Sequence, residues 1–144
     1  MSEFKIQMRI FVNKISAERL LEIDKPIPPG QGQIATNLNI VGFNKKREDI
    51  LEVPFIFTIN YTPAIAQISL TGKALVKGAK EEIKKIYDAY LEKKPPPPQL
   101  SQSIFNVAFM ESLLITRTLN VPPPIPQIQP PGEQKKPSEP TYRA

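Results

Sequence analysis

Neither cysteine nor histidine occurs anywhere in the 144 residues. Their absence removes disulfides, thiolate nucleophiles, thiolate or imidazole metal ligands and imidazole proton transfer together. Most transition-metal and nucleophile–base constellations go with them. No DxD, HExxH or GxxxxGK pattern suggests where a carboxylate or lysine site would converge. The carboxylates Glu48, Asp49, Glu52, Glu81, Glu82, Asp88 and Glu111 each sit where solvated charge or a helix start explains them, and no pair is nominated as acid and base. The sequence therefore predicts no enzyme, no metal and no cofactor. No run approaches the roughly 18 apolar residues that cross a bilayer, and MSEFKIQMRIF lacks the hydrophobic stretch of a secretory signal. A cytoplasmic protein without membrane insertion is expected.

The formal charge is +5, with a pI near 9.5, which favours an anionic partner without naming one. There is no long Lys/Arg run, zinc finger or RNP-like aromatic motif. Length fits one domain. Twelve of the seventeen prolines lie at or after position 95, which places the compact part in residues 1–128 and leaves 129–144 as a Pro- and charge-rich tail.

Phe4, Ile6, Met8, Ile10 and Val12 alternate with Lys5, Gln7 and Arg9, the period of a half-buried strand, with Phe11 interrupting the polar side. A short turn of helix is expected around Ser16 to Leu21, then a Pro/Gly connection. A second strand carries Ile34, Thr36, Leu38 and Ile40 on one face. The charged turn GFNKKRED over Gly42 to Asp49 leads to a third strand, whose apolar face is Leu51, Val53, Phe55, Phe57, Ile59 and Tyr61. Pro54 implies a bulge or an edge position there. A fourth strand follows Pro63, with Ala66, Ile68, Leu70, Ala74 and Val76 on its apolar face and Gly72 at a bend or bulge. Turns too short for parallel crossovers predict a four-stranded antiparallel sheet followed by two helices, an α+β fold.

Ala79 to Lys94 has helical periodicity in Ile83, Ile86, Tyr87, Tyr90 and Leu91. Pro95 to Pro98 end it and form a stiff connection. A second helix is expected after a Ser101 or Ser103 cap. It is so apolar that it should meet the sheet, another helix and a second subunit or client surface. VPPPIPQIQPP, from Val121 to Pro131, then continues as an extended apolar strip.

FKIQMRIFVNKIS, LEVPFIFTINYTP, AIAQISLTGKALVKG and SIFNVAFMESLLITRTLNVPPPIPQI, in that order, resemble the strands, long helix and proline-rich strip of the export chaperone SecB and its fold family over residues 4–128. That resemblance implies a nucleotide-independent chaperone that holds non-native polypeptide, or another apolar protein surface, in grooves between sheet and helix. It also implies homo-oligomers, dimers or tetramers, built by sheet pairing across subunits. Carried onto this chain, the groove candidates are Phe55, Phe57, Ile59, Phe105, Phe109, Met110, Val121, Ile125 and Ile128, residues that serve equally as core. The family's export members are acidic and meet a basic motor, whereas this chain is basic and its tail lacks Cys and His. A divergent member, archaeal or thermophilic, is the expectation.

The alternative is a ribosome- or RNA-associated structural protein contacting polyanion through Lys45, Lys46, Arg47, Lys77, Lys80, Lys84, Lys85, Lys93, Lys94, Lys135 and Lys136. Lys45, Lys46 and Arg47 are otherwise a solvated hairpin tip.

Overall fold

The strict apolar alternation from Leu51 to Tyr61 and from Ala66 to Val76 falls on a single sheet face, because among the described residues helices cover only one side of this sheet. The computed structural model describes residues 5–27 and 33–124. They form β1 (Ile6–Arg19), β2 (Gln33–Ile40), β3 (Asn44–Arg47), β4 (Ile50–Thr62), β5 (Ala66–Gly78), α1 (Lys80–Leu91) and α2 (Pro98–Leu119). All pairings are antiparallel, in the order β1-β5-β4-β2, with β3 on β4 beyond the end of β2.

Four expectations are corrected. The sheet has five strands, not four. The missed one, β3, is four polar, exposed residues with no alternation to reveal it, paired to β4 across the turn at Glu48 and Asp49. The basic residues Lys45 to Arg47 are thus strand rather than turn. Instead of a helical turn over Ser16 to Leu21, β1 runs on to Arg19, since Ser16, Ala17 and Glu18 pair with Ser69, Ile68 and Gln67. A ladder offered by an existing strand outweighs weak helical preference. Finally, α2 starts at Pro98, with no side-chain cap, because proline tolerates the first helical position, where its missing N–H has no partner anyway.

Pro54 lies inside β4 without a bulge, at a local edge between the end of β2 and the start of β3. Its carbonyl accepts from Val41 N–H at 2.9 Å, so its own nitrogen points to the side where β2 has ended at Phe55 and β3 begins at Glu52. The absent donor costs no ladder bond. Gly72 is opposite an irregularity, which falls on β1 between Val12 and Lys14.

The covered face buries Leu51, Val53, Phe55, Phe57, Ile59, Ile68, Leu70 and Val76, each such side chain contributing about 1.5–3 kcal/mol of transfer free energy. The cover is Ile83 and Ile86 from α1 and the four-residue repeat Leu100, Ile104, Ala108, Ser112, Thr116 from α2. The two buried hydroxyls in that stripe donate to carbonyls of their own helix, Ser112 to Phe109 at 2.6 Å and Thr116 to Leu113 at 2.8 Å, so their burial leaves no unpaired donor. On the solvent side of α2, Met110 and Leu114 are 64% and 61% exposed.

Candidate functional site

Because β2 is an edge strand, its covered face has a neighbour on one side only, and Leu38 and Ile40 are left half-buried. The first turns of α2 pass beside them. Between the two runs an open groove of about 640 Å³, lined by Leu38, Ile40, Pro96, Pro98, Ser101, Gln102 and Phe105. An apolar cavity of about 150 Å³ accepts one benzene, so the groove has room for about four ring-sized groups. One wall is Phe105, whose ring stands edge-on to Phe57 at 5.4 Å and stacks on Phe109 at 5.7 Å. Ser101 and Gln102 supply hydrogen-bonding groups at the rim. Near it, the side-chain oxygen of Gln99 is buried without a hydrogen-bond partner.

The sequence-derived groove residues divide. Phe105 lines the groove, with Phe57 and Phe109 bracing it. Phe55, Phe57 and Ile59 are fully buried and form the floor of the core. Met110 points to solvent, outside the groove lining. Val121 is buried just past α2, its N–H donating to Thr116 at 3.0 Å. Ile125 and Ile128 lie outside the described residues. The lining residues that sequence reasoning missed are Leu38, Ile40, Pro96, Pro98, Ser101 and Gln102. Leu38 and Ile40 were visible as an apolar strand face, but not as residues of an edge.

The polyanion candidates do not form one patch. Lys45 lies over the Tyr87 ring at 5.6 Å, on the helix side, while Lys46 pairs with Glu52 at 3.3 Å. Lys80, Lys84 and Lys94 pair with Glu48, Asp88 and Glu92 at 3.3, 2.9 and 3.0 Å. Lys85 and Lys93 are exposed on α1 and just after it, and Arg47 and Lys77 on strands. Lys135 and Lys136 lie outside the described residues.

Two contacts fix the far end of α2. Arg19, the last residue of β1, donates to Leu21 O at 2.9 Å, Asn120 O at 2.7 Å and Leu119 O at 3.2 Å. These are the last carbonyls of the helix and of the chain just past β1. Together with Leu20 to Ile23 they border a second cleft of about 380 Å³. Asn120 itself turns left-handed at φ 58°, a conformation asparagine accepts at a helix end. Beyond it, the Tyr61 hydroxyl donates to Pro122 O at 2.5 Å, and burial pushes the phenol up to about 12. On the opposite sheet face, Lys73 first and Lys46 with it hold the Glu52 carboxyl below its ordinary value, against desolvation.

Among the described residues no three acidic side chains are grouped to hold a metal ion, and no helix is long and apolar enough to cross a membrane. No protein-family model matches the sequence, and no curated protein does. A solved structure does match: the Mycobacterium tuberculosis Rv1957 SecB-like chaperone in complex with a ChAD peptide from the Rv1956 HigA1 antitoxin. It superposes with a TM-score of 0.61 at 12% identity, over 86% of this chain and 90% of that one. The chain thus shares, at a distance, the fold of a SecB-like chaperone, an antiparallel sheet followed by two helices.

Proposed function

We propose that this chain binds non-native or exposed apolar polypeptide, without nucleotide, in the groove between β2 and the start of α2. The observation that carries the reading is the coincidence of an apolar groove with an open sheet edge. β2 pairs with β4 alone among the described strands, so its outer N–H and C=O groups can accept an added extended segment. Alternate side chains of that segment would drop onto Leu38, Ile40 and Phe105. Main-chain bonding is indifferent to sequence and an apolar groove nearly so, which suits broad client choice. Burying two or three large client side chains supplies about 3–9 kcal/mol gross, and ordering the client takes much of it back. Affinity no tighter than about micromolar follows, since about 8 kcal/mol net corresponds to about 1 μM. The peptide bound by the SecB-like fold relative supports polypeptide as the ligand class.

Self-association belongs to the same proposal. The other edge, β1, is 14 residues long, and its second half is exposed apart from Arg19, including Ile15. With Met110 and Leu114 exposed on α2, a second copy is the expected cover, making a dimer or tetramer.

The test is fluorescence anisotropy with a labelled unstructured apolar peptide, using Leu38→Glu and Phe105→Ser against Leu91→Ser, an exposed position on α1 outside the groove. The groove variants should weaken binding about tenfold or more, as about 1.4 kcal/mol corresponds to tenfold, while the control binds normally. Equal affinity in all three folded proteins, or no binding by the parent chain, would overturn the reading.

A further inference from the structure

The sheet face turned away from the helices holds the whole net charge of the protein. Strand register places Lys5, Arg9 and Lys14 from β1 and its approach on that face, with Lys73 and Lys77 from β5. Arg47, opposite Ile50, and Lys46, bonded to Glu52, join them from β3. Against these seven cations the face carries two carboxylates, Glu18 and Glu52. The other described residues hold nine cations and nine carboxylates, and the residues outside the description three of each. The excess of five on this face therefore equals the formal net charge of +5.

The cations cluster toward one end. Lys77, Ile50 and Arg47 form one row across the sheet, and Arg9, Leu75, Glu52 and Asn44 the next. At about 3.3 Å per residue and about 4.8 Å per strand, the basic area measures about 30 by 15 Å. Toward the other end the same face is hydrogen-bonding, with Asn37, Thr58, Ser69, Gln67 and Asn60, and carries one carboxylate, Glu18, opposite Gln67. Of the large apolar strand residues on this face, Phe11 alone is exposed, at 40%, and the Arg9 guanidinium covers its ring at 5.4 Å.

We propose that this open face binds single-stranded nucleic acid, its cations on phosphates and its amides and hydroxyls on sugars and bases. A protein partner wants a larger desolvated apolar centre than Phe11 with the half-buried Ile50, Ile56 and Leu75 offers. A polyanion backbone needs only spaced cations and released counterions. The Glu52 carboxylate tethers Lys46 and Lys73, leaving Lys5, Arg9, Lys14, Arg47 and Lys77 as the free contacts among the described cations of the face. The site is independent of the apolar groove, which lies on the sheet's other side.

The test is anisotropy of a labelled oligouridylate of about 16 nucleotides, the upper site size of a single OB fold, titrated with the full chain between about 50 and 200 mM salt. Five phosphate contacts at about 0.7 each give a log–log slope of about −3.5, so affinity falls about 100-fold over that range. Arg9→Gln with Lys77→Gln should flatten the slope by about 1.4. Lys84→Gln with Lys85→Gln, the same charge loss on α1, should leave it unchanged. No association at low salt overturns the proposal, as does an equal effect from the α1 pair. Competition by polyglutamate as strong as that by unlabelled RNA would assign the face to an acidic polypeptide instead. Apolar-peptide binding should stay intact in both double variants, which separates failure here from failure of the groove reading.

Discussion

Replacing Arg19 by alanine tests whether a single guanidinium locks the end of α2 to the end of an edge strand. Its two best bonds, 2.7 Å to Asn120 O and 2.9 Å to Leu21 O, are charge-assisted, and half-exposure puts them at the low end of about 1.5–3 kcal/mol each. The cation also faces the negative end of the α2 dipole, for about 0.5 kcal/mol. Releasing the side chain returns about 1 kcal/mol of rotamer entropy. About 2–3 kcal/mol of net destabilisation follows. For a chain near 150 residues that lowers Tm by roughly 5–10 °C. Urea unfolding followed by circular dichroism at fixed protein concentration reads it as a lower midpoint with unchanged slope, and hydrogen exchange should quicken in the last turn, residues 116–119. Arg19→Lys keeps the charge but loses the planar fork and should recover less than half. A loss below about 0.5 kcal/mol, the size of an ordinary surface change, or full recovery by lysine would refute the clamp.

At Gly72 an added Cβ would collide with the Phe11 carbonyl oxygen and lie 2.9 Å from the Phe55 ring. Because backbone cannot swing aside as a side-chain tip can, Gly72→Ala should cost about 3 kcal/mol, the top of the overpacking range, and a urea midpoint within error of the parent would contradict it. Tyr61→Phe should cost about 1 kcal/mol near neutral pH through the unpaired Pro122 carbonyl. The raised phenol pKa favours the neutral form in the folded state, so Tyr61 stabilises below pH 10 and loses that contribution as pH rises from 10 toward 12. Urea midpoints across that window should fall more steeply for the parent than for the phenylalanine variant, and parallel slopes would refute the assignment.

Periodicity made the covered face legible. Leu51 to Tyr61 and Ala66 to Val76 alternate because half of each strand meets the core, and Ile83 with Ile86 marks a helix of matching amphipathy. What periodicity cannot carry is adjacency. Nothing local in β1 says that it pairs with β5, about sixty residues away, or that β2 ends up at an edge. The groove escaped for that reason. Phe55, Phe57 and Ile59 entered the candidate lining through the family resemblance, as residues that serve equally as core, and they are among the side chains that pack deepest. Grooves are lined at the margin of a core, by residues such as Leu38 and Ile40 whose neighbours run out. The basic face escaped in the same way. Lys5, Arg9 and Lys73 occupy ordinary solvent-side positions in two strands far apart in sequence, and register alone gathers them with Lys46, Arg47 and Lys77, which sequence reasoning does single out.

The two proposed surfaces use opposite sides of one sheet, which bears on how they interact. Adjacent residues of β2 serve different surfaces, Leu38 the groove and Asn37 the open face. A substitution at one therefore leaves the geometry of the other intact unless it unfolds the strand. Electrostatic cross-talk is weak as well, since a groove client held by apolar burial presents little charge to the cations. Binding at the two faces should accordingly be additive, with no more coupling than the shared stability of β4 and β5 imposes. A nascent or unfolded chain and a nucleic acid could then be held at once by the same molecule, one by apolar burial that salt leaves largely untouched, the other by phosphate contacts that salt dissolves.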